Sequence, residues 1–103
     1  MVVRPAVNDL AQRWVSAWNG DDAAAVIALL HDDATIADPV AGKVRRDAIP
    51  AFVAEQLGLD IVDWRALPGA DSVAVVVRFA DGREGVDVLV VADDRVVRCM
   101  RHR

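Results

Sequence analysis

Apolar residues recur at helical spacing in the first half of the chain and alternate with a period of two in the second half. The first helix is predicted to end at Asn19-Gly20 and carries an apolar face formed by Val3, Val7, Leu10, Trp14 and Trp18. Asp21 or Asp22 can cap a second helix that runs to Leu30, and residues 34–37 suit a short strand. Asp47 is the expected cap of a third helix, which has Pro50 in its first turn and Phe52, Val53 and Leu57 after it.

Beyond Gly58 the alternation predicts four strands, at residues 60–67, 72–79, 83–92 and 95–101. The strands are separated by turn sequences, of which Asp81-Gly82 is the strongest hairpin signal. Helices followed by an antiparallel meander indicate an α+β fold, with the helices packed on one face of a curved sheet. Such a sheet closed off by helices encloses a cone-shaped apolar cavity, which is a natural site for a small ligand.

Composition narrows the class of protein. The chain has 103 residues, 54% of them hydrophobic, which predicts one packed domain spanning residues 1–103. A net charge of −4 and scattered arginines argue against nucleic-acid binding. No run approaches the roughly 18 apolar residues of a membrane span, and no apolar stretch follows Arg4 and Pro5, so we expect neither a membrane anchor nor a signal peptide. The single cysteine, Cys99, fits a buried strand position and a cytoplasmic location.

Asp87 is the most informative polar residue because it interrupts the most apolar strand, Gly85-Val86-Asp87-Val88-Leu89-Val90-Val91-Ala92. A carboxyl group in an apolar site either finds a partner or stays protonated, and a protonated carboxyl group donates a hydrogen bond. The alternative is that Asp87 points outward or pairs with Arg78 or Arg98 of a neighbouring strand.

Several segments together resemble the NTF2-like superfamily, in its SnoaL-like and ketosteroid isomerase branches. The resemblance is carried by Gln12-Arg13-Trp14-Val15-Ser16-Ala17-Trp18-Asn19-Gly20-Asp21, Leu29-Leu30-His31-Asp32-Asp33-Ala34, Ile36-Ala37-Asp38-Pro39-Val40 and Arg46-Asp47-Ala48-Ile49. It implies an NTF2-like cone, a catalytic base at Asp38 and a neutral, hydrogen-bond-donating acid at Asp87. The family's third catalytic group, a tyrosine, falls on Trp14, and the chain contains no tyrosine. An indole N–H donates a hydrogen bond but cannot share a proton as a phenol does.

The remaining large side chains are expected to pack in the core, a role compatible with lining a substrate pocket. We assign substrate binding to Trp18, Phe52, Trp64, Phe79 and Met100. His31 and His102 have no partner at metal-ligand spacing, and no phosphate-binding loop is present, so we expect no metal and no cofactor. Asp38 before Pro39 could instead only begin a turn.

Three functions are compatible with these residues. The first is proton transfer next to a carbonyl of an apolar, steroid-like or polycyclic molecule, with Asp38, Asp87 and Trp14 as the catalytic groups. The second is a non-catalytic module that binds an apolar ligand or dimerises, which the missing tyrosine favours. The third is a SnoaL-like cyclase or an epoxide hydrolase of the same fold; such hydrolases use an Asp-Arg-Asp arrangement that the sequence alone does not locate. Because residues 73–79 are apolar on both faces, a homodimer is expected as well.

Overall fold

The computed structural model describes residues 5–103, and the side chains from Asp9 onward. Val3 of the predicted first helix lies outside this part. Three helices and six strands follow one another as α1 (Pro5–Asn19), α2 (Ala23–Ala28), β1 (Leu30–Asp38), β2 (Gly42–Val44), α3 (Ile49–Gln56), β3 (Ile61–Pro68), β4 (Ser72–Phe79), β5 (Glu84–Ala92) and β6 (Arg95–His102).

The helix boundaries agree with the sequence prediction except at the end of α2, which stops at Ala28 instead of running to Leu30, and at the start of α3. The Asp22 side chain caps α2 by accepting a hydrogen bond from the Ala25 N–H at 3.1 Å. Ala48 rather than Asp47 occupies the N-cap position of α3, and it makes no side-chain cap, so the predicted Asp47 cap is wrong. Pro50 lies in the first turn as predicted, where it fixes a helical φ without losing a needed N–H.

The strands form one curved, open sheet in the order β2-β1-β6-β5-β4-β3. All neighbouring pairs are antiparallel except β1 and β6, which are parallel because the chain leaves the sheet after β2 and re-enters at the far edge. β1 begins at Leu30, earlier than predicted, and the short β2 was not predicted. Register shifts in β1, β3 and β6 interrupt regular pairing, and irregularities of this kind bend a sheet.

The helices cover one face of the sheet and the core lies between them. Alternate residues of β4, Val73, Val75, Val77 and Phe79, point to this inner face and are buried, which settles the orientation of a strand whose two faces are both apolar. The α1 face that contains Trp14 and Trp18 packs against them. Residues of β5 and β6 with the same orientation include Asp87 and Arg101, which places two charged side chains in an otherwise apolar interior.

Candidate functional site

Asp87 lies on the inner face of β5 with only 2% of its surface exposed. Its Oδ2 accepts a hydrogen bond from Trp14 Nε1 at 3.0 Å. Its Oδ1 lies 3.1 Å from Arg103 Nη1 and 3.4 Å from Arg101 Nε. Both carboxyl oxygens therefore accept, and the role as a neutral donor that the resemblance implied is not the role that this arrangement shows. Asp87 has found partners, as a buried carboxylate must.

Trp14 is fully buried, and its N–H is used inside the protein. The indole donates to Asp87 and packs edge-on against Trp18, with ring centroids 5.8 Å apart. A donor already engaged by a buried carboxylate is not free to stabilise charge on a substrate. The structure thus places Trp14 behind Asp87, where it holds that carboxylate in position.

Asp38 ends β1, and its carboxylate is held by the turn that follows. Its Oδ2 accepts hydrogen bonds from the Val40 and Ala41 N–H groups, both at 2.9 Å, and Oδ1 lies 4.0 Å from Arg101 Nη1. Burial alone would raise the pKa of Asp38, but the two backbone N–H groups and the positive charges of Arg101 and Arg103 outweigh it and lower the pKa. Asp38 is therefore a carboxylate at neutral pH. It both begins a turn and faces the site.

Arg101 in β6 and Arg103 directly after it join these groups, and neither was singled out from the sequence. Arg101 bridges Asp87 and Asp38, and its guanidinium lies over the rings of Trp18 and Phe52, 5.0 and 5.8 Å from their centroids. Arg103 lies over the Phe79 ring at 4.9 Å. Burial lowers the pKa of the Arg103 guanidinium, and the charge of Asp87 opposes that effect.

The arginines considered as partners of Asp87 lie elsewhere. Arg78 faces outward and pairs with Asp63 at 3.6 Å, and Arg98 is exposed. Strand periodicity could have identified the true partners, because Arg101 and Arg103 follow buried Cys99 at steps of two and so share its face. Asp38, Arg101 and Asp87 together form an Asp-Arg-Asp series that the sequence alone did not locate.

A cavity of about 540 Å³ opens beside Asp38 and Arg103. Its remaining wall combines apolar and polar side chains from the end of α3 and the loop after it, the β1–β2 turn and the β4–β5 hairpin, namely Pro39, Val40, Gln56, Leu59, Phe79, Arg83 and Glu84. A smaller cavity of about 30 Å³ shares Gln56, Leu59, Phe79 and Arg103 with it, and reaches Trp18, Ile61, Asp87 and Arg101. The small cavity therefore adjoins the large one on the side of the buried charges.

The predicted binding residues divide between this site and other parts of the molecule. Trp18 and Phe79 line the cavities, and Phe52 contacts Arg101 without lining either one. Trp64 is 36% exposed and lines a separate depression with Asp63 and Arg78. Met100 lies on the outer face of the sheet, opposite in orientation to Cys99 and Arg101, so its assignment to the pocket needs correction. Alternation along β6 puts Met100 and the cavity on different sides.

The part of the chain that the structure describes contains neither a candidate metal site nor a membrane-spanning helix. Residues 5–103 contain no group of three or more His, Cys, Asp or Glu side chains arranged to hold a metal ion. None of the helices described is long and apolar enough to cross a membrane.

Comparison of the sequence and the structure with known proteins identifies the family of this chain. Residues 11–99 match the family model of the SnoaL-like domain. The chain belongs to the SnoaL-like family. A SnoaL-like protein of unknown function from Burkholderia thailandensis is 27% identical, with a TM-score of 0.87 over 99% of this chain and 98% of that one.

Other solved structures carry functional descriptions. A candidate ketosteroid isomerase from Kribbella flavida is 26% identical, with a TM-score of 0.77 over 94% of this SnoaL-like chain and 76% of that one. A candidate polyketide cyclase from Xanthomonas campestris is 16% identical, with a TM-score of 0.86 over 97% and 91% of the two chains, and at that identity it shows the fold alone. No curated protein matches significantly. The family and the NTF2-like α+β fold predicted from the sequence are confirmed.

Proposed function

We propose that this SnoaL-like protein binds an apolar small molecule that contains a carbonyl group and transfers a proton at the adjacent carbon, with Asp38 as the base. One observation carries the proposal: an ionised carboxylate and a partly buried arginine share the wall of a cavity of about 540 Å³. Cavities of roughly 300–1,000 Å³ suit small-molecule ligands. Leu59 and Phe79 supply apolar surface for the body of the ligand.

The two charged side chains have complementary tasks in this reaction. Removing a proton beside a carbonyl builds negative charge on the carbonyl oxygen, and a cation in a partly dry site stabilises that charge. Arg103 can do this, since its side chain is 26% exposed and lines the cavity. Asp38 takes the proton and returns it at another carbon, as general acid–base catalysis requires.

The environment of Asp38 also predicts a slow enzyme. Two backbone N–H groups and two arginines favour the ionised form, and the lowered pKa makes Asp38 a weaker base than an ordinary aspartate. The reaction therefore depends on substrates whose α-hydrogens are already acidic, such as a ketone that is also allylic.

The test uses a 3-oxo-Δ5 steroid, whose isomerisation forms a conjugated enone that is followed by its absorbance. Hydrogen–deuterium exchange beside the carbonyl of smaller apolar ketones, followed by NMR, covers other substrates. We expect Asp38→Asn to lower the rate by about 10²- to 10⁴-fold, the usual contribution of a general base. Asp63→Asn is the matched control because Asp63 is exposed on the outer face, and it should leave the rate unchanged. No rate above background, or a rate that Asp38→Asn does not change, would contradict the proposal.

The Asp-Arg-Asp series favours a second candidate, hydrolysis of an apolar epoxide. That reaction needs one carboxylate to activate water and a protonated acid to supply the oxygen with a proton. Asp38 lines the cavity as a carboxylate, whereas both oxygens of Asp87 are occupied by donors, so the series supplies the base more readily than the acid. Conversion of styrene oxide to its diol, lost in Asp38→Asn, would support this candidate. Ligand binding without either reaction would instead identify a non-catalytic binding module.

We also propose that the protein forms a homodimer through the outer face of the sheet, because that face carries an apolar row. One row of directly paired residues crosses five strands and is apolar throughout, formed by Leu67, Ala74, Val88, Met100 and Ala37. The helices already cover the inner face, and an apolar outer face needs a second cover. A second copy of this chain presents the same row and matches it in polarity.

A further inference from the structure

Two buried N–H groups at the small cavity have no hydrogen-bond acceptor among the residues that the structure describes. They are Trp18 Nε1 and Arg101 Nη1. Their residues are 6% and 7% exposed, and the Arg101 guanidinium lies over the Trp18 ring. A buried donor without an acceptor destabilises the folded state, and most buried polar groups in proteins have a partner, so two such donors in one cluster are unusual.

Both side chains line the cavity of about 30 Å³ that adjoins the larger one. That space exceeds the roughly 10–15 Å³ that a single buried water needs, so it accommodates an oxygen atom. An acceptor oxygen that enters from the larger cavity would therefore reach two donors that have no hydrogen-bond acceptor in the described chain, one of which, Arg101 Nη1, lies 4.0 Å from Asp38 Oδ1 in an ion pair.

The charges around the small cavity determine whether a charged or a neutral oxygen acceptor binds there more favourably. Asp38 and Asp87 contribute two negative charges, and Arg101 and Arg103 contribute two positive charges, so the cluster is balanced. A carboxylate or phosphate would add an uncompensated buried charge, which is costly. A neutral carbonyl oxygen accepts two hydrogen bonds without disturbing the balance.

We propose that Trp18 Nε1 and Arg101 Nη1 form a binding site for the carbonyl oxygen of a neutral, apolar ligand whose body occupies the larger cavity. This inference rests on the proposed function and deepens it, because it names the group that orients the substrate. The carbonyl oxygen then lies next to Arg101, with the positive charge of Arg103 in the wall of the same small cavity, and Arg101 Nη1 lies 4.0 Å from Asp38 Oδ1. The base and the carbonyl of the ligand would thus be brought to one end of the large cavity.

Equilibrium binding of three matched bicyclic compounds tests the site. They are 2-tetralone, a ketone; tetralin, the same ring system without oxygen; and 1,2,3,4-tetrahydro-2-naphthoate, a carboxylate. We expect the ketone to bind at least about fivefold more tightly than tetralin, because hydrogen bonds to buried donors give roughly two- to tenfold each. The ketone should also bind more tightly than the carboxylate.

Trp18→Phe removes the N–H but keeps an aromatic ring, and it should reduce the preference for ketone over tetralin by about two- to tenfold. Trp64→Phe is the matched control, since Trp64 lines a different depression, and it should keep the full preference. In ¹H–¹⁵N spectra of the unmutated protein, one buried indole N–H signal should shift downfield with the ketone and not with tetralin. That signal should be absent from Trp18→Phe and present in Trp64→Phe.

The outcomes that overturn the proposal are independent of whether Trp18→Phe folds. Equal affinity of the unmutated protein for ketone and tetralin, no ketone binding, tighter binding of the carboxylate, or no ketone-specific indole shift would each overturn it. None of these measurements involves turnover. If the ketone binds with the indole shift but exchanges no hydrogen, the carbonyl site is supported and proton transfer is contradicted. If hydrogen exchange depends on Asp38 but the indole signal does not shift, proton transfer is supported and the carbonyl site is contradicted.

Discussion

Asp87 shows how strongly a single buried carboxylate depends on its partners. It is the acceptor for Trp14, Arg101 and Arg103, and it is the carboxylate nearest to both arginines, with Asp38 farther away at 4.0 Å from Arg101. By binding both arginines, the Asp87 carboxylate holds the C-terminal end of β6 and the residue after it in place. The network also explains how the chain tolerates two inward-facing arginines in an apolar interior.

Removing the charge of Asp87 should therefore destabilise the fold. We expect Asp87→Asn to lower the free energy of unfolding by about 3 kcal/mol, because breaking a buried ion pair leaves its partner uncompensated. Urea denaturation followed by circular dichroism measures the change. The control is Asp63→Asn, which breaks an exposed pair with Arg78 and should cost less than about 1 kcal/mol. Equal losses in the two variants would mean that the Asp87 network contributes no special stability.

The lowered pKa of Asp38 makes its contribution to stability depend on pH. Although burial opposes it, the net pKa lies below the ordinary value of 3.8, so folding favours the ionised form. The resulting stabilisation is fully present above that value and is lost as the pH falls through the lower pKa of the folded state. Comparing the unmutated protein with Asp38→Asn by urea denaturation between pH 6 and pH 2.5 tests this. The stability difference should shrink below about pH 4, and a difference that is constant over the whole range would refute the assignment.

At the scale of elements, one side chain joins the end of α1 to the start of β3. Asn19 Nδ2 donates to the Ile61 carbonyl at 2.9 Å, and the Ile61 N–H donates to Asn19 Oδ1 at 2.7 Å. The Asn19 side-chain amide therefore makes, with the first residue of β3, the pair of hydrogen bonds that a neighbouring strand would otherwise make. The sequence suggested only that Asn19-Gly20 ends a helix, because nothing local indicates a partner 42 residues away.

Asn19→Ala should remove both hydrogen bonds and lower the free energy of unfolding by about 2 kcal/mol. Thermal or urea unfolding measures the loss. Gln12→Ala lies on an exposed position of the same helix and should change stability by less than about 0.5 kcal/mol. If Asn19→Ala behaved like Gln12→Ala, the link between α1 and β3 would be energetically unimportant.

For the whole molecule, the apolar row on the outer face predicts the assembly state. Val88 lies at its centre, paired with Ala74 on one side and Met100 on the other. Light scattering coupled to size-exclusion chromatography should give about twice the chain mass of 11.1 kDa. Val88→Lys should shift the protein to monomer, since a charge at the centre of an apolar contact is desolvated without a partner.

Ala24→Lys adds the same charge to an exposed position of α2, on the helical side of the molecule, and should leave the dimer intact. A monomeric unmutated protein at micromolar concentration, or a dimer that persists in Val88→Lys, would show that this face is not the interface.

The sequence by itself determined the three helices and five of the six strands, because apolar residues recur along an element with the geometry of that element. Period-two alternation identified β4 as residues 72–79 without saying which of its two apolar faces is covered, and helical spacing placed Trp14 and Trp18 on one face of α1. The pattern also marked Asp87 as a carboxyl group in an apolar strand, and it left open whether that group points inward.

Only the tertiary structure decided how the polar groups pair. Asp87 and Arg101 are paired directly across the β5–β6 hairpin, in a register that includes the irregularity between Val90 and Val91. Asp38 lies within 4.0 Å of Arg101 because β6 also pairs with β1, a parallel contact between strands that are far apart in the sequence. A carboxylate in an apolar strand signals that a partner must exist, but the identity of that partner depends on register and strand order, which the local sequence pattern does not specify.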